Sequence, residues 1–523
     1  MLTGKLSTID LLIVIAYFLG TIFIGIYLSR HNKDAKSYFL ADRDVTWPLV
    51  GLALFASNIS STTLVGLAGD AYSTGISVYN YEWLAAVVLV FFAVFMLPQV
   101  LRSQVYTMPE YLERRYDRRS RLIFSGMTLF LNVVVDASTG LFAGALLFDV
   151  LFPGTPVWLT CVALALATGV YTIFGGLRAV IVTEVFQAVL LLFGSALVTF
   201  FVYLRLENGW ETITQSVPYD KLSLIRPLSD PAFPWLGLLI GAPLLGFYFW
   251  CTNQFMAQRF LAAKSVDHAR WGALFAGLLK LPTLAIMVLP GTAAIIVFPD
   301  LPRADLVFPT LLVELLPVGV LGLVLAGVLA ALMSSIASTL NSASTLVTMD
   351  FVRVFRPGLS GRALMRIGRI ATFVFMTLAV LWAPQIANFD SLFKYLQQVL
   401  SYTVGPIVAL FIVGSFWRRA NGPGAFWALM TGFASSVGLF VAIVGTGAVK
   451  LHFLYVAPIL AVITTIALVV VSLMTPAPAL AQVEPLLWRR AARRADEPQG
   501  LADYRWQAIA LLALTAAIVW YFR

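Results

Sequence analysis

The sequence is poor in charge, cysteine and histidine. Only 12% of its 523 residues are charged, whereas soluble proteins average about 25%. Its two cysteines, Cys161 and Cys251, both fall in apolar segments, which excludes a disulfide framework and a cysteine metal cluster. The three histidines lie outside these segments or at their edges, so none is available for a proton relay inside a membrane. No stretch between apolar segments is long enough to form a soluble domain.

Hydrophobic residues are abundant instead, at 60% of the chain. Many segments reach the ~20 apolar residues that a helix needs to cross a bilayer. We therefore predict an all-α polytopic membrane protein with about fourteen transmembrane helices. The predicted spans are 8–29, 47–74, 82–101, 122–150, 157–174, 180–203, 234–260, 271–299, 317–350, 368–385, 395–416, 424–446, 454–474 and 505–522.

The basic residues alternate with this topology. The loops after the odd-numbered spans, including one around Arg178, hold 26 of the 35 lysines and arginines. Because cytoplasmic loops carry the excess of positive charge, we expect both termini to be non-cytoplasmic. The first span lacks a small-residue cleavage site and is interpreted as a retained helix. The protein is then a multi-pass component of the plasma membrane, or of the inner membrane in a Gram-negative cell. Topology accounts for the net charge of +9, so we expect no nucleic-acid partner.

A polar run interrupts the second predicted span. Six hydroxyl and amide residues lie in the middle of this apolar segment: Ser57, Asn58, Ser60, Ser61, Thr62 and Thr63. Lipid offers no partner to polar groups, so irregular or polar backbone at membrane depth occurs where it lines a cavity or is buried in protein. The run predicts a binding site within the membrane, and therefore transport.

A second interrupted span is predicted five spans later, at 234–260. It carries Gly237, Gly241, Pro243 and Gly246 before Tyr248-Phe249-Trp250. The two interrupted spans would begin successive five-helix sets, 47–203 and 234–416. Because five is odd, the second set would be inverted relative to the first, and paired broken helices in inverted repeats indicate a site near the membrane midplane.

Several polar side chains inside the spans are candidates for this site. Ser334 and Ser338 share one helix face and offer hard oxygen ligands to an alkali cation, although serines also allow close helix packing. Ionisable residues in spans are costly and usually face a cavity or a partner. Four stand out: Glu82, Asp136, Glu184 and Lys280. We expect Lys280 to pair with a carboxylate or to donate to a polar ligand.

These segments resemble the solute:sodium symporter family, and within it the sodium/glucose cotransporters. The matching stretches cover about residues 10–420 in order. They are Ala56-Ser-Asn-Ile-Ser60, Tyr81-Glu-Trp83, Gly175-Gly-Leu-Arg-Ala-Val180, Thr183-Glu-Val-Phe-Gln187, Trp250-Cys-Thr-Asn-Gln254 with Gln258-Arg259, Leu279-Lys-Leu281, Ser334-Ser-Ile-Ala-Ser338 with Leu340-Asn-Ser342, Tyr395-Leu-Gln397 with Ser401-Tyr402, and Gly405-Pro406.

The resemblance implies the leucine-transporter-type fold, a 5+5 inverted repeat with extra N- and C-terminal helices. The whole chain, 1–523, would form one transmembrane domain. It would comprise a leading helix at 8–29, a first repeat at 47–203, an inverted second repeat at 234–416 and trailing helices at 424–522.

The resemblance also implies binding residues. The sodium positions of the family correspond to Ala56, Ile59, Ala331, Ser334 and Ser335. Glu184 stands where the family usually has an aspartate that helps sodium leave. Ser338 belongs to a possible second sodium site, but Ala337 lacks the other hydroxyl, which favours one sodium per cycle.

For the solute, the resemblance implies a mixed set of positions. The candidates are Asn58, Thr63, Tyr81, Glu82, Asp136, Trp250, Lys280 and Gln397, with Phe249 as the gate. Three of them depart from the glucose-type members. Thr63 stands where those members use Gln or His, Phe249 lacks the gating tyrosine's hydroxyl, and Asp136 adds a carboxylate that would suit a cation or hydroxyl groups.

We therefore predict a sodium-coupled symporter that imports a small polar solute, a monosaccharide or polyol, by alternating access. The main alternative is a sodium symporter for an organic cation, amine or amino acid with Asp136 as counter-ion, and a transporter-like sensor is a more distant one. Sodium would be the coupling ion, with no cofactor and no enzymatic activity. The expected partners are the lipid bilayer, sodium and the solute, and the expected state is a monomer or weak oligomer.

Overall fold

The computed structural model describes residues 6–29, 35–59, 61–152, 154–388, 392–489 and 498–523. Ser60 of the polar run lies outside these ranges, as do the side chains of Ser61 and Thr62. The basic residues Arg490, Arg493 and Arg494 of the predicted inner loop lie outside them too.

The described chain is helical throughout, and its only pairing of extended residues is an isolated bridge between Val45 and Ala263. The helices up to residue 261 are α1 (Thr8–Ser29), α2 (Ala35–Leu40), α3 (Trp47–Asn58), α4 (Ser61–Thr74), α5 (Asn80–Phe95), α6 (Leu97–Arg102), α7 (Met108–Arg115), α8 (Arg118–Leu131), α9 (Ser138–Leu151), α10 (Val157–Tyr203), α11 (Trp210–Ser216), α12 (Trp235–Phe247) and α13 (Gln254–Leu261).

The remaining helices continue to the C-terminus. They are α14 (Val266–Lys280), α15 (Leu289–Val297), α16 (Val307–Leu315), α17 (Val320–Leu346), α18 (Arg353–Phe355), α19 (Gly361–Trp382), α20 (Leu392–Phe416), α21 (Gly422–Phe440), α22 (Phe453–Met474), α23 (Leu480–Val483) and α24 (Tyr504–Tyr521). Wider π-helical segments lie at Asn132–Ala137, Tyr248–Thr252, Leu284–Val288, Val347–Val352 and Val441–Gly445.

The predicted polytopic architecture is confirmed in its broad form. Within the described residues, nine helices are long and apolar enough to cross a membrane, and two sharply bent helix pairs could each form one more. These correspond to eleven of the fourteen predicted spans. Thr8–Ile24 and Val157–Gly169 are shorter apolar helices, and α24 is an 18-residue helix outside the set. The count of fourteen and the inverted repeat stay predictions.

The predicted loop around Arg178 is not seen. Helix α10 is continuous over 47 residues, a length of about 70 Å at 1.5 Å per residue. This is more than twice the ~30 Å hydrocarbon core of a bilayer, so α10 contains both predicted segments 157–174 and 180–203. Arg178 is exposed within it.

Helix α17 lies at the centre of the molecule. Its span, Val320–Phe355, is 89% buried, whereas Gly422–Gly445 at the periphery is 22% buried. A helix that is apolar all round can be surrounded by other helices, and α17 packs against α1, α10 and α19. The serines and asparagine of its second half are therefore enclosed by protein.

The first broken span matches the prediction. Helices α3 and α4 form a pair bent by 57°. Helical geometry ends at Ile59, whose φ of −80° and ψ of 82° are not helical, and its backbone N–H donates to Phe55 O (3.0 Å). The polar run therefore coincides with a real break in the helix.

The second break lies further along the chain than predicted. Gly237, Gly241 and Pro243 all lie inside α12, and helical structure continues through Tyr248–Thr252 to Asn253, which has extended geometry. The glycines serve close packing instead: a Cβ atom on Gly241 would come within 2.1 Å of Leu454 O on α22. A small residue in a membrane helix is thus explained here by helix contact rather than by a break.

Candidate functional site

A cavity of about 130 Å³ lies beside the break between α3 and α4. Its walls come from the broken span, α5, the Asn132–Ala137 and Tyr248–Thr252 segments, α17 and α20. The polar lining residues are Ser57, Asn58, Thr63, Tyr81, Glu82, Asp136, Thr139, Ser335, Thr339 and Gln397, and the aromatic ones are Phe249, Trp250 and Phe255. Every residue predicted to bind the solute or to form the gate lines this cavity, with the exception of Lys280.

Lys280 lies behind the cavity wall. Its fully buried ammonium group donates to Glu82 Oε2 (2.6 Å) and to Asn58 Oδ1. The Nζ atom also lies 5.3 Å from the centre of the Trp250 ring, within cation–π range. The predicted contact between Lys280 and the solute is therefore revised to an indirect one, because Lys280 fixes the two polar groups that face the cavity.

The local sequence explains the position of Lys280. It is the last residue of α14, and Pro282 follows two residues later. Proline disfavours helical geometry in the residue before it, and the negative end of the helix dipole favours a cation at this terminus. The next apolar helix continues at an angle of 41°.

A turn on the first broken span holds its polar groups towards the cavity. Thr63 Oγ1 donates to Asn58 O (2.8 Å) across the break. This contact closes the chain around Ile59, which is fully buried. Ala56, also predicted to bind sodium through its carbonyl, is buried one turn earlier.

The serine face of α17 meets α3 at Ser57. Ser335 Oγ donates to Ala331 O (3.2 Å) on its own helix and to Ser57 O (3.4 Å). Ser334 lies next to it and reaches Glu184 Oε1 at 3.5 Å. Ser335 therefore contacts the first broken helix through the carbonyl of Ser57, a residue of the polar run for which no separate role was predicted.

Glu184 on α10 is the centre of a second buried cluster. Its carboxylate accepts hydrogen bonds from Ser57 Oγ (2.7 Å), from Ser338 Oγ and from Arg259 Nη2. A further contact from Arg259 Nε to Oε2 measures 3.3 Å. Glu184 and Arg259 are both 0% exposed, so this is a fully buried ion pair joined to hydroxyl groups.

The sequence analysis missed Arg259 as a site residue. The charge pattern places it among the basic residues that follow the seventh predicted span, whereas in the structure it lies on α13 and is fully buried. The signals that could have identified it were its place within the predicted span 234–260 and the presence of an unpartnered glutamate in another span. Sequence alone does not bring residues 184 and 259 together.

Asp136 has far fewer partners than Glu184. It belongs to the Asn132–Ala137 π-helical segment, a type of helix insertion that often occurs at functional sites. Asn253 Nδ2 lies 3.5 Å from Asp136 Oδ2. No ion pair of Asp136 occurs among the described residues, so this cavity-lining carboxylate has no cationic partner there.

The predicted gate residue lies among other rings. The Phe249 ring makes edge-to-face contacts with Trp250, at 5.6 Å between ring centres, and with Phe255, at 5.5 Å. All three side chains line the cavity. Such an apolar wall opposite amides and carboxylates fits a ligand that has both an apolar face and polar groups.

Polar groups gathered beside a broken helix in the middle of a membrane fold define a secondary transporter. The model of the Sodium:solute symporter family matches residues 38–432. The chain is 34% identical to sodium/glucose cotransporter 1 of Oryctolagus cuniculus over 89% of this chain and 79% of the relative. It is 34% identical to sodium/myo-inositol cotransporter 2 of Homo sapiens over 92% of this chain and 78% of the relative. The protein belongs to the sodium:solute symporter family.

Solved structures share the fold. A Na⁺-coupled sialic acid symporter in a substrate-bound, outward-open state matches with a TM-score of 0.80 at 23% identity, covering 90% of this chain and 99% of its own. Mhp1, a nucleobase-cation-symport-1 family transporter, matches in a closed conformation with a TM-score of 0.57 at 18% identity, covering 87% of this chain and 99% of its own. The fold is thus the all-helical polytopic one of these transporters.

Family membership settles the general class of activity. The relatives are sodium-coupled transporters and not enzymes. The coupling ion is accordingly sodium, no cofactor takes part, and the protein is an integral membrane transporter of a small solute.

Proposed function

We propose that the protein imports a monosaccharide or polyol together with sodium, by alternating access. The observation that supports this most directly is the cavity itself. Amide and carboxylate groups of Asn58, Glu82 and Gln397 line it together with the rings of Phe249 and Trp250. Carboxylates accept hydrogen bonds and side-chain amides both donate and accept them, so hydroxyl groups of a sugar find partners on one side and its apolar face finds rings on the other.

The names of the relatives support the same solute class. Two of them are named as cotransporters of glucose and of myo-inositol, a monosaccharide and a cyclic polyol. Phe249 would close the cavity beneath the solute as a ring without a hydroxyl group. Thr63 and Tyr81 would complete the polar lining, and Lys280 would act through Asn58 and Glu82.

The sodium site would lie where α3 ends against α17. Its ligands would be carbonyl oxygens of Ala56, Ile59 and Ala331 and the hydroxyl oxygens of Ser334 and Ser335. Because unwound backbone carbonyls and half-helix ends coordinate sodium in transporters with broken helices, the break at Ile59 is a suitable source of such oxygens. The Ser335–Ser57 contact supports the approach of the two helices.

Coupling would follow from the shared broken helix. Ala56 and Ile59 flank Asn58 within one helical turn, so a geometry that suits sodium also fixes an amide of the solute cavity. Coupling between two ligands is reciprocal, since each raises the affinity for the other by the same factor. Sodium would thereby favour the state that binds solute.

Glu184 would assist the departure of sodium towards the cytoplasm. In the described conformation its carboxylate is bound to Arg259 and Ser338, so an ion leaving the serines would have to compete with the guanidinium group. Return of the empty carrier would then be favoured because Arg259 neutralises Glu184 in place of sodium. One sodium per cycle would suffice.

The wider organisation proposed from the sequence completes this mechanism. Repeats at 47–203 and 234–416 would rock against each other, with the leading helix 8–29 and the trailing helices 424–522 around them. Both termini would face away from the cytoplasm of a plasma or inner membrane, and a monomer would be sufficient for transport.

Sodium-driven uptake into proteoliposomes tests the proposal. With an inward sodium gradient, vesicles containing the full chain should accumulate at least one monosaccharide or polyol, and replacing sodium by potassium should abolish accumulation. If no solute from a panel of hexoses, amino hexoses, pentoses and cyclic polyols accumulates under the gradient, the proposed function is wrong.

Ser335→Ala tests the sodium site separately. Loss of one ligand oxygen should raise the sodium concentration for half-maximal uptake at least tenfold, measured as initial rates across a sodium titration. Ser344→Ala is the matched control, because Ser344 lies on the same helix and donates to Gly368 O (2.8 Å) away from the cavity. Equal sodium activation in both variants would contradict the assignment.

A further inference from the structure

The charges around the cavity do not balance. Two carboxylates line it, Glu82 and Asp136, and no lysine, arginine or histidine does so among the described residues. Glu82 is neutralised from behind by Lys280 at 2.6 Å. Lys280 also donates to Asn58, and no contact between Lys280 and Asp136 occurs among the described residues.

Asp136 is therefore a carboxyl group that has no cationic partner in the described part of the protein. The contact to Asn253, at 3.5 Å, is long and comes from a neutral amide. A charge inside the membrane is expensive and usually meets a partner. Because the carboxylate borders the cavity, a ligand in the cavity can supply that partner.

The surroundings suit an organic ammonium group better than a bare metal ion. The rings of Phe249 and Phe255 share the cavity with Asp136, and cations are attracted to aromatic faces. Among the described residues that line the cavity, Thr139 carries the hydroxyl nearest to Asp136 in sequence, and its Oγ1 donates to Val135 O (2.6 Å). A carboxyl group next to rings provides one strong hydrogen-bond acceptor and an apolar enclosure.

We propose that Asp136 forms an amine subsite, and that the solute is an amino sugar or amino polyol whose ammonium group binds Asp136 while its hydroxyl groups bind Asn58, Glu82 and Gln397. This inference rests on the proposed sodium-coupled uptake of a polyhydroxylated solute and narrows its substrate class. The ammonium group and the carboxylate form a charge-assisted hydrogen bond, which is stronger than a neutral one.

Competition within one hexose series tests the amine subsite. The probes are glucose, 2-amino-2-deoxyglucose and its N-acetyl derivative, with the corresponding mannose and galactose series. Each is measured in uptake driven by an inward sodium gradient and in thermal-shift binding to the full chain. In at least one series the amine should bind at least tenfold more tightly than the parent sugar and the N-acetyl form, because only the amine carries a positive charge.

Asp136→Asn should reduce that preference to about twofold or less, measured as the ratio of the two half-saturation concentrations within the variant. Asp220→Asn is the control, because this carboxylate is 64% exposed in the connection between α11 and α12; it should keep the native ratio. An unchanged ratio in Asp136→Asn, or a native preference for the parent or N-acetyl sugars in every series, overturns the amine subsite.

The comparison of amine, parent and N-acetyl sugars with the native protein tests the amine subsite even if Asp136→Asn does not fold. Failure of the proposed function gives a different result, because no sugar, charged or neutral, would then accumulate under a sodium gradient. Accumulation of neutral sugars without any preference for amines leaves sodium-coupled sugar uptake intact and rejects the amine subsite alone.

Discussion

Two acidic residues within the membrane fold, Glu184 and Asp136, have opposite surroundings. Glu184 is enclosed by hydroxyl groups of Ser57 and Ser338 and by the guanidinium group of Arg259, and is 0% exposed. Asp136 borders the cavity and has one long contact with the amide of Asn253. Glu184 is thus fully buried and paired with a cation, whereas Asp136 is half-buried and has no cationic partner among the described residues.

The difference in their partners indicates different roles: the carboxylate of Glu184 supports the fold, and that of Asp136 can bind a ligand. A buried ion pair contributes little net stability, but removing one partner is strongly destabilising because the other charge stays behind. Glu184 is paired with Arg259, so removal of either residue should destabilise the fold. Asp136 has no cationic partner among the described residues, so its carboxyl group is available to a ligand.

The largest expected effect is the loss of the partner of Glu184. Arg259→Ala should destabilise the protein by about 3–5 kcal/mol, the range measured for broken buried pairs, and so lower the unfolding temperature in detergent markedly. The double variant Arg259→Gln with Glu184→Gln should recover most of the loss, since both charges are gone. A double variant as unstable as Arg259→Ala would show that Arg259 acts through packing and not through its charge.

Converting Glu82 into an unpaired carboxylate is the next largest change. Lys280→Met keeps the length of the side chain but leaves Glu82 without a cation, as Asp136 is now. We expect a destabilisation of about 3 kcal/mol and, because Asn58 is released as well, at least a tenfold rise in the solute concentration for half-maximal uptake. Arg226→Met, in the connection between α11 and α12, removes a cation from two carboxylates away from the cavity and should leave the solute concentration for half-maximal uptake unchanged. A native half-saturation in Lys280→Met would contradict the indirect role assigned to Lys280.

A smaller effect is expected from removing one hydroxyl group near Glu184. Ser338→Ala deletes a donor to a charged acceptor, a loss of about 1.5–3 kcal/mol, while Arg259 keeps the carboxylate neutralised. The fall in unfolding temperature should therefore be smaller than that in Arg259→Ala. An equal or larger fall would mean that the hydroxyl groups, and not the guanidinium group, are the main support of Glu184.

The smallest effect, and one of opposite sign, is expected at Asp136. Asp136→Asn replaces an uncompensated charge by a neutral group of the same shape and should raise the unfolding temperature slightly in the absence of solute. Thermal scanning without sugars or amines measures this directly. A clear fall would show that Asp136 supports the fold as Glu184 does, and would remove the contrast between them.

Much of the architecture could be predicted from the sequence, because lipid imposes simple rules. Apolar length gave the long helices, and the polar run at Ser57–Thr63 marked a true break since its backbone could not face lipid. The resemblance to symporters selected residues 58, 82, 136 and 397, which share one cavity. Their roles in binding stay predictions.

What failed depended on contacts between distant segments. Gly237 and Gly241 indicated a broken helix, yet Gly237 packs against side chains of Leu454 and Tyr455 and Gly241 against the backbone of Leu454, all on α22. Composition does not separate these two uses of glycine. Arg259 was taken for a loop residue because arginine near a span end is usually solvated. Its pairing with Glu184, 75 residues earlier, depends on how α10 and α13 meet.

The contact at Gly241 has a mechanical consequence. A Cβ atom on Gly241 would lie only 2.1 Å from Leu454 O. The two backbones are therefore in contact, with no side chain between them that could let one helix slide along the other. Helices α12 and α22 should then move as one rigid body. In the proposed alternating access, a change in the direction of the chain after α12 would occur at Asn253, where the backbone is extended. A methyl group at Gly241 would separate α12 from α22 and should slow the transport cycle, although Gly241 does not line the cavity.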